Sequence, residues 1–372
     1  MKAIGIILAG GTNNKLGALV RSRTNSALPV ACSFRAIDFS LSNMSNSGIN
    51  KIAVVTQYNS RSLSDHISSS KWWNIGRKNS GIFVFTPYAS DQNQPWYRGT
   101  ADSIYQNLSY LEKSHEDYVV IANGDGVYKM DYSDLIKDHI ATGADVTIVC
   151  KEFNNDEIDH RNFGNAVVDE YGRIIDFEEK PLEKMSNTVS IGVYVIKRTL
   201  LIELVTTAIS SGRYDFVNDI IVRYRNKLKF YAYNFNGYWK PLNSIKNYFD
   251  VNNKFLDGTF RYEMLNSYPY IMTKSKDEPP AKYNYNANVK NSIVGNGSIV
   301  SGTLENSTLF RGVRIGDNST IKNCIIFEGA EIGDNCHLEY VILDKRVKVN
   351  SGVSIIGNID KIKIYEKNFV IE

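Results

Sequence analysis

From Asn288 onward the chain keeps a six-residue beat, and few folds accept one. Ile293 and Ile299 lie six apart, as do Ile315 and Ile321, and Ile332 and Leu338. The turn phrases Val294-Gly295-Asn296-Gly297, Ile315-Gly316-Asp317-Asn318 and Ile332-Gly333-Asp334-Asn335 recur, the last two about three six-residue faces apart. A β-meander needs two-residue alternation and does not fit. Coils of three short strands do fit: each face points a small aliphatic side chain inward, and stacked coils bury a continuous column. The beat therefore predicts a left-handed parallel β-helix over residues 286–372.

The chain of 372 residues is long for one domain, and its first part follows another rule. Runs rich in Ile and Val at Ala3–Leu8, Ile52–Thr56, Tyr118–Ala122 and Asp145–Cys150 alternate with helical patterns at Ala101–Leu111 and Tyr132–Thr142. Strand alternating with helix predicts an α/β domain with a mostly parallel sheet. Further strands are expected at Gly164–Val168, Ile174–Glu178, Ser190–Ile196 and Lys229–Phe235, with a helix at Thr199–Ser210. This α/β domain is assigned to 1–255. A polar stretch with Pro279 and Pro280 is read as part of a linker over 256–285.

Bulk properties exclude several classes. Lys plus Arg number 43 against 40 Asp plus Glu, so nothing points to nucleic acid or an anionic membrane as partner. The cysteines Cys32, Cys150, Cys324 and Cys336 show no CxxC spacing. No disulfide framework or zinc site is expected, and a cytoplasmic setting fits. The apolar N-terminal run stops at a Gly-rich phrase and lacks a cleavage pattern, so it reads as a first strand rather than a leader. No apolar stretch approaches the ~20 residues of a membrane span.

Three motifs carry chemistry. Leu8-Ala9-Gly10-Gly11-Thr12-Asn13-Asn14-Lys15-Leu16 follows the first strand. Paired glycines there let backbone N–H groups close on a phosphate or a base, although an unliganded βα turn reads the same way. Asn123-Gly124-Asp125-Gly126 places a carboxylate at a strand end, suited to Mg²⁺ or simply to a turn. Ligands on such sheets sit at the carboxyl ends of strands, so both loops should face one crevice. In Phe177-Glu178-Glu179-Lys180-Pro181, Glu179 and Lys180 could grip a sugar hydroxyl and a sugar phosphate together, or form a solvated ion pair.

Together these motifs resemble the glucose-1-phosphate adenylyltransferases of bacterial glycogen synthesis over nearly the whole chain. The resemblance extends through Phe34–Asn43, Ser47-Gly48-Ile49, Trp96–Asp102, Tyr128–Tyr132, Phe163-Gly164, Ser190–Tyr194 and Asp215-Phe216. It implies a Rossmann-like nucleotidyltransferase domain ahead of the β-helix. It also implies a reaction in which glucose 1-phosphate attacks the α-phosphorus of ATP, with Mg²⁺ neutralising charge. By resemblance, Leu8, Gly10, Gly11, Gly99 and Asp125 would bind nucleotide, and Asp125 would hold metal. Tyr97, Gly164, Glu179, Lys180 and Ser190 would bind the sugar phosphate.

The departures from the family pattern are informative. Asn13 stands where the family loop has its third Gly, and Lys15 where it has Arg. Lys offers a point charge, not a planar fork. Asn25 replaces a family Lys, and Pro241 replaces the second metal-binding Asp. A kept sugar site beside a damaged triphosphate site resembles the GlgD-type subunit. That resemblance implies weak or absent activity alone, doubtful Mg²⁺ binding, and a hetero-oligomer, expected as a tetramer, with a catalytic GlgC-type subunit. Glucose 1-phosphate or ADP-glucose would be the ligand. Two alternative readings stand beside it: a competent sugar-phosphate nucleotidyltransferase, and a hexapeptide acyltransferase, for which His337 is the one histidine in the helical region.

Overall fold

The computed structural model describes residues 2–11, 13–76, 80–88, 95–154 and 158–372; Thr12 of the first loop lies outside them. Packing divides the chain into two compact units. One contains Met1–Gly11, Ser40–Ser60 and Ile67–Trp239; the other contains Thr12–Phe39, Arg61–His66 and Lys240–Glu372.

The first unit is built on a nine-stranded sheet among the described residues. Its strands are β1 (Ala3–Leu8), β2 (Lys51–Val55), β3 (Gly81–Phe85), β4 (Tyr118–Asn123), β5 (Val146–Glu152), β6 (Gly164–Val168), β7 (Ile174–Glu179), β8 (Thr188–Lys197) and β9 (Phe230–Asn234). The path runs β7-β6-β8-β4-β1-β2-β3, with β5 paired to β8 and β9. β1 pairs parallel with β2 and β4, and β2 with β3. These are the strands separated by helical stretches, and a parallel partner needs such a crossover. Strands β6, β7 and β8 follow one another without a helix, and they pair antiparallel. The sheet is therefore mixed: parallel on the β1 side, antiparallel where β8 meets β4, β5 and β6 and where β6 meets β7, and parallel again between β5 and β9. β1 and β4 are near-continuously buried, as strands covered on both faces must be.

The helix Tyr132–Thr142 forms as the sequence predicts. Asp131 caps its first turn by accepting from the Ser133 N–H, and Gly143, at φ 61°, ends it in the left-handed conformation. The pattern at Ala101–Leu111 instead splits into Thr100–Tyr105 and Leu108–Glu112. At the break, Asn107 Nδ2 donates to Ser103 O (2.8 Å) and to the Tyr97 hydroxyl (2.9 Å), so its side chain competes with helix bonding.

The second unit contains the β-helix. Its three parallel faces hold six, five and five strands, and every third strand pairs. Partners Ile315 and Ile332, then Ile332 and Val349, lie 17 residues apart. The buried column includes Val300, Ile315, Ile332 and Val349 on one face, and Leu304, Ile321, Leu338 and Ile355 on the next. The first coil is one residue out of the expected phase. Val294 and Val300 take the column positions in place of Ile293 and Ile299. One corner of the coils carries a left-handed residue at each level: Asn291, Asn306, Asn323 and then Tyr340. Asparagine tolerates that conformation, and here Asn291 Nδ2 also donates to Asn306 Oδ1 (2.7 Å). The stretch read as a linker is partly ordered. It holds Gly258–Arg261 and Tyr262–Asn266, and Lys282–Tyr283 already belongs to the first coil.

Candidate functional site

Within the first unit, parallel register brings the two expected nucleotide loops together. Leu8 stands opposite Val55 and Asn123, and the Gly124 N–H donates to Leu8 O (3.1 Å). The Gly10–Gly11 turn and the Asp125 loop therefore leave adjacent strands at their carboxyl ends. Neither Gly10 nor Gly11 has a positive φ. A Cβ on Gly10 would meet only ordinary contacts, and one on Gly11 nothing within 4 Å. Local packing does not explain these two glycines, and the space leaves room for a ligand to approach the backbone closely.

The Asp125 loop is pinned from below. Ser40 Oγ donates to Asn123 O (2.8 Å), Asn43 Nδ2 donates to Tyr128 O (3.2 Å), and the Met130 N–H donates to Asn43 Oδ1 (3.1 Å). Asp125 is half-buried between Gly124 and Gly126. A Cβ on Gly126 would sit 3.3 Å from the Trp239 ring nitrogen. Among the described residues no cluster of three or more His, Cys, Asp or Glu could hold a metal. Pro241, buried at the end of the strand Trp239–Pro241, offers no side-chain ligand atom. Mg²⁺ is commonly held by one or two carboxylates plus substrate phosphates. Asp125 supplies one carboxylate, so the donor set does not fit a two-carboxylate centre.

The expected sugar residues gather more tightly. Glu179 stands opposite Gly164 across the β6–β7 hairpin. A Cβ on Gly164 would lie 2.9 Å from Glu179 Oε2 and 2.4 Å from the Phe177 ring, so only glycine admits the carboxylate and the ring together. Burial raises the Glu179 carboxyl above its ordinary range; Lys180 opposes the rise and Asp215 adds to it. Lys180 has φ 53°, its N–H donates to Phe163 O (3.1 Å), and its Nζ lies 3.3 Å from Glu179 Oε1. A long side chain held in the left-handed region is strained. The strain sets the ammonium beside a buried carboxylate. Ser190 Oγ accepts from the Gly192 N–H (3.2 Å) and lies 3.5 Å from the Tyr194 hydroxyl. Burial, and then Glu179, raise the Tyr194 phenol.

Tyr97 and Gly99 take other positions. Tyr97 is 5% exposed and packs in the core cluster, with its hydroxyl bonded to Asn107 as above. Gly99 is fixed by close approach, since a Cβ there would fall 2.3 Å from Tyr214 O. Around it Arg98 stacks on Tyr214 at 3.9 Å and pairs with buried Asp102 at 2.9 Å. Thr100 Oγ1 accepts from the Phe216 N–H (2.8 Å) and donates to Asp215 Oδ2 (3.3 Å). Asp215, part of the Asp215-Phe216 motif, adds through its charge to the upward shifts of Glu179 and Tyr194. Only folding brings it within electrostatic reach of them.

In the second unit, Lys15 is exposed and Asn25 is buried. Asn25 Oδ1 and Thr24 Oγ1 find no hydrogen-bond partner. His337 lies inside a strand, in register with Thr320 and Ser354. This unit also holds a cavity of about 640 Å³ with Arg35, Arg61, Lys345, Arg346 and Lys367 set against Asp65 and Glu328. Arg35 donates to Ser62 O (2.6 Å) and Ser62 Oγ (3.1 Å). Arg346 adopts φ 57° at the corner where Gly297, Gly312 and Gly329 stand in preceding coils.

Comparison with known proteins agrees with this geometry. The profile described as nucleotidyl transferase matches residues 4–258, and that of the GlmU-like C-terminal hexapeptide matches 279–363. The glucose-1-phosphate adenylyltransferase of Halalkalibacterium halodurans is 40% identical over 323 residues, 85% of this chain and 83% of that protein. The chain belongs to the glucose-1-phosphate adenylyltransferase family. The Geobacillus stearothermophilus member is 37% identical over 85% of this chain and 82% of its own length. The Thermotoga neapolitana member is 38% identical over 84% and 74%. No helix among the described residues is long and apolar enough to cross a membrane.

Proposed function

We propose that this family member is a regulatory, weakly active or inactive subunit of GlgD type. In this reading it binds glucose 1-phosphate or ADP-glucose and works beside a catalytic GlgC-type subunit in the cytoplasm. The observation that carries the reading is Pro241, buried where the resemblance requires a second metal-binding carboxylate. Asn25 adds to it, a neutral side chain in the place of a family lysine. Against these losses stands the sugar-side cluster of Glu179, Lys180, Gly164 and Ser190. The cationic cavity of the second unit supports a regulatory role: five cations face two carboxylates in a volume suited to a small phosphorylated metabolite. The left-handed Arg346 at its wall is a strained arginine where other coils use glycine, and such strain gathers at ligand sites.

The test is turnover of the purified chain with ATP, glucose 1-phosphate and Mg²⁺, alone and co-expressed with a catalytic partner. Alone, turnover stays below the ordinary enzyme range of about 1–1000 per second; with the partner, the complex responds to this chain's presence. A homomer within that range would sink the proposal in favour of a competent nucleotidyltransferase, the reading that the Gly10–Gly11 loop and Asp125 keep alive.

A further inference from the structure

The loop after β1 carries a side chain where the resemblance has none. Asn13 has φ −126° and ψ 112°, extended backbone that any residue adopts, so its conformation does not demand glycine. Its amide makes contacts that a glycine could not. Asn13 Oδ1 accepts from the Lys15 N–H (2.9 Å), while the Asn13 carbonyl accepts from the Leu16 N–H (3.0 Å). On the other side of the same amide, Nδ2 donates to Asn243 O (2.7 Å).

Asn243 is itself held. Its Oδ1 accepts from Asn247 Nδ2 (2.6 Å), and Ser244 Oγ caps the helix Ile245–Lys254 by accepting from the Asn247 N–H (3.1 Å). The strut therefore runs from the loop through Asn13 and Asn243 to the first turn of a helix. Asn243 stands two residues past Pro241, so one end of the strut is a departure from the family pattern and the other lies close to one.

The geometry points to Asn13 as a positioning residue that ties the turn at 13–16 to Asn243, its side chain competing with nucleotide phosphate for the Lys15 backbone N–H. The inference rests on the nucleotide reading of the loop given above, and it adds a cause of weak nucleotide binding separate from the missing carboxylate and lysine. A phosphate that takes the Lys15 N–H must first displace Asn13 Oδ1. A loop that opens must break the bond to Asn243 O. Neither cost arises with glycine.

The experiment uses the full-length chain and two variants. Asn13→Gly removes both side-chain contacts. Asn13→Ser keeps an acceptor for the Lys15 N–H but is too short to reach Asn243. Calorimetric titration with MgATP should give affinity about three- to tenfold tighter for Asn13→Gly, the worth of one or two net hydrogen bonds. Asn13→Ser should fall between it and the parent. Hydrogen exchange at the Lys15 amide, read without ligand, should be faster in Asn13→Gly and near parental in Asn13→Ser. Unchanged MgATP affinity in a natively folded Asn13→Gly overturns the inference. Should that variant fail to fold, unchanged affinity in Asn13→Ser does the same. If Asn25→Lys or Pro241→Asp tightens MgATP while neither Asn13 variant does, the strut is wrong and the reading of a damaged nucleotide site stands. Ordinary turnover by the unmodified chain would instead strike at that reading, and the strut would still be judged by the variants.

Discussion

Lys180 and Glu179 are adjacent in sequence, and with Lys180 in the left-handed conformation the ammonium lies 3.3 Å from the Glu179 carboxylate. A flexible lysine beside an exposed glutamate would be a screened pair of little value. Here the glutamate is largely buried, with its carboxyl raised by burial. If the pair grips a sugar phosphate, Lys180→Ala should weaken glucose 1-phosphate binding at least about tenfold in calorimetry, since a hydrogen bond to a charged group contributes about 1.5–3 kcal/mol. The pH dependence has a definite sign. Ionised Glu179 accepts from sugar hydroxyls, so affinity should fall with decreasing pH, beginning above the range where an ordinary carboxylate titrates. In Glu179→Gln that slope should vanish along with part of the affinity. A wild-type chain showing no binding at millimolar sugar phosphate would leave the pair a structural remnant.

At the scale of elements, glycines show where backbones had to come close. Gly192 interrupts β8 at φ 78°, and a Cβ there would lie 2.2 Å from the Asn123 amide. It separates Ser190 from Tyr194, and the register of β8 against β5 shifts between those two residues. Such an irregularity re-aims side chains, here on the strand bearing Ser190 of the proposed sugar site. Gly192→Ala should therefore do two things: lower stability by about 1–3 kcal/mol in urea unfolding, from left-handed strain plus contact, and weaken sugar-phosphate binding in the surviving folded fraction. Loss of stability with unchanged binding would separate the irregularity from the site. The helix broken at Asn107 teaches a related lesson. Its apolar spacing looked continuous, but an asparagine with two acceptors in reach ended it.

At the scale of the whole chain, the segment 12–39 packs with the β-helix as one compact unit, although hundreds of residues separate them. Arg23 is the anchor. Its guanidinium pairs with Asp344 at 2.6 Å, both side chains are buried, and it lies 5.6 Å from the centre of the Phe327 ring. Removing one partner of a buried pair leaves an uncompensated charge and costs about 3–5 kcal/mol. Asp344→Asn or Arg23→Ala should show that loss in urea unfolding, and the apolar double variant Arg23→Met with Asp344→Leu should lose much less than the two single losses summed. Deleting the chain after Pro280 strips Asp344 and the aliphatic column together, so the remainder should neither stay soluble nor pair with a partner subunit. A soluble, pairing truncation would show that 12–39 folds without the coils.

The sequence by itself determined the periodic elements. Continuous apolar runs, helical spacing and the six-residue beat record burial along a single strand, helix or coil, and burial is local enough to be read from spacing, which is why β1, the helix Tyr132–Thr142 and the inward positions at Ile315, Ile321, Ile332 and Leu338 were legible. Set beside the family pattern it resembles, the chain also showed departures at Asn25 and Pro241, because a missing charge is visible in one residue. Only the tertiary structure decided what depends on two distant segments meeting: the approach of Asp215 to Glu179, the pairing of Arg23 with Asp344, the bond from Asn13 to Asn243, and the core position of Tyr97. Each rests on a side-chain contact or an electrostatic approach between segments remote in sequence, and composition and spacing carry no information about such encounters.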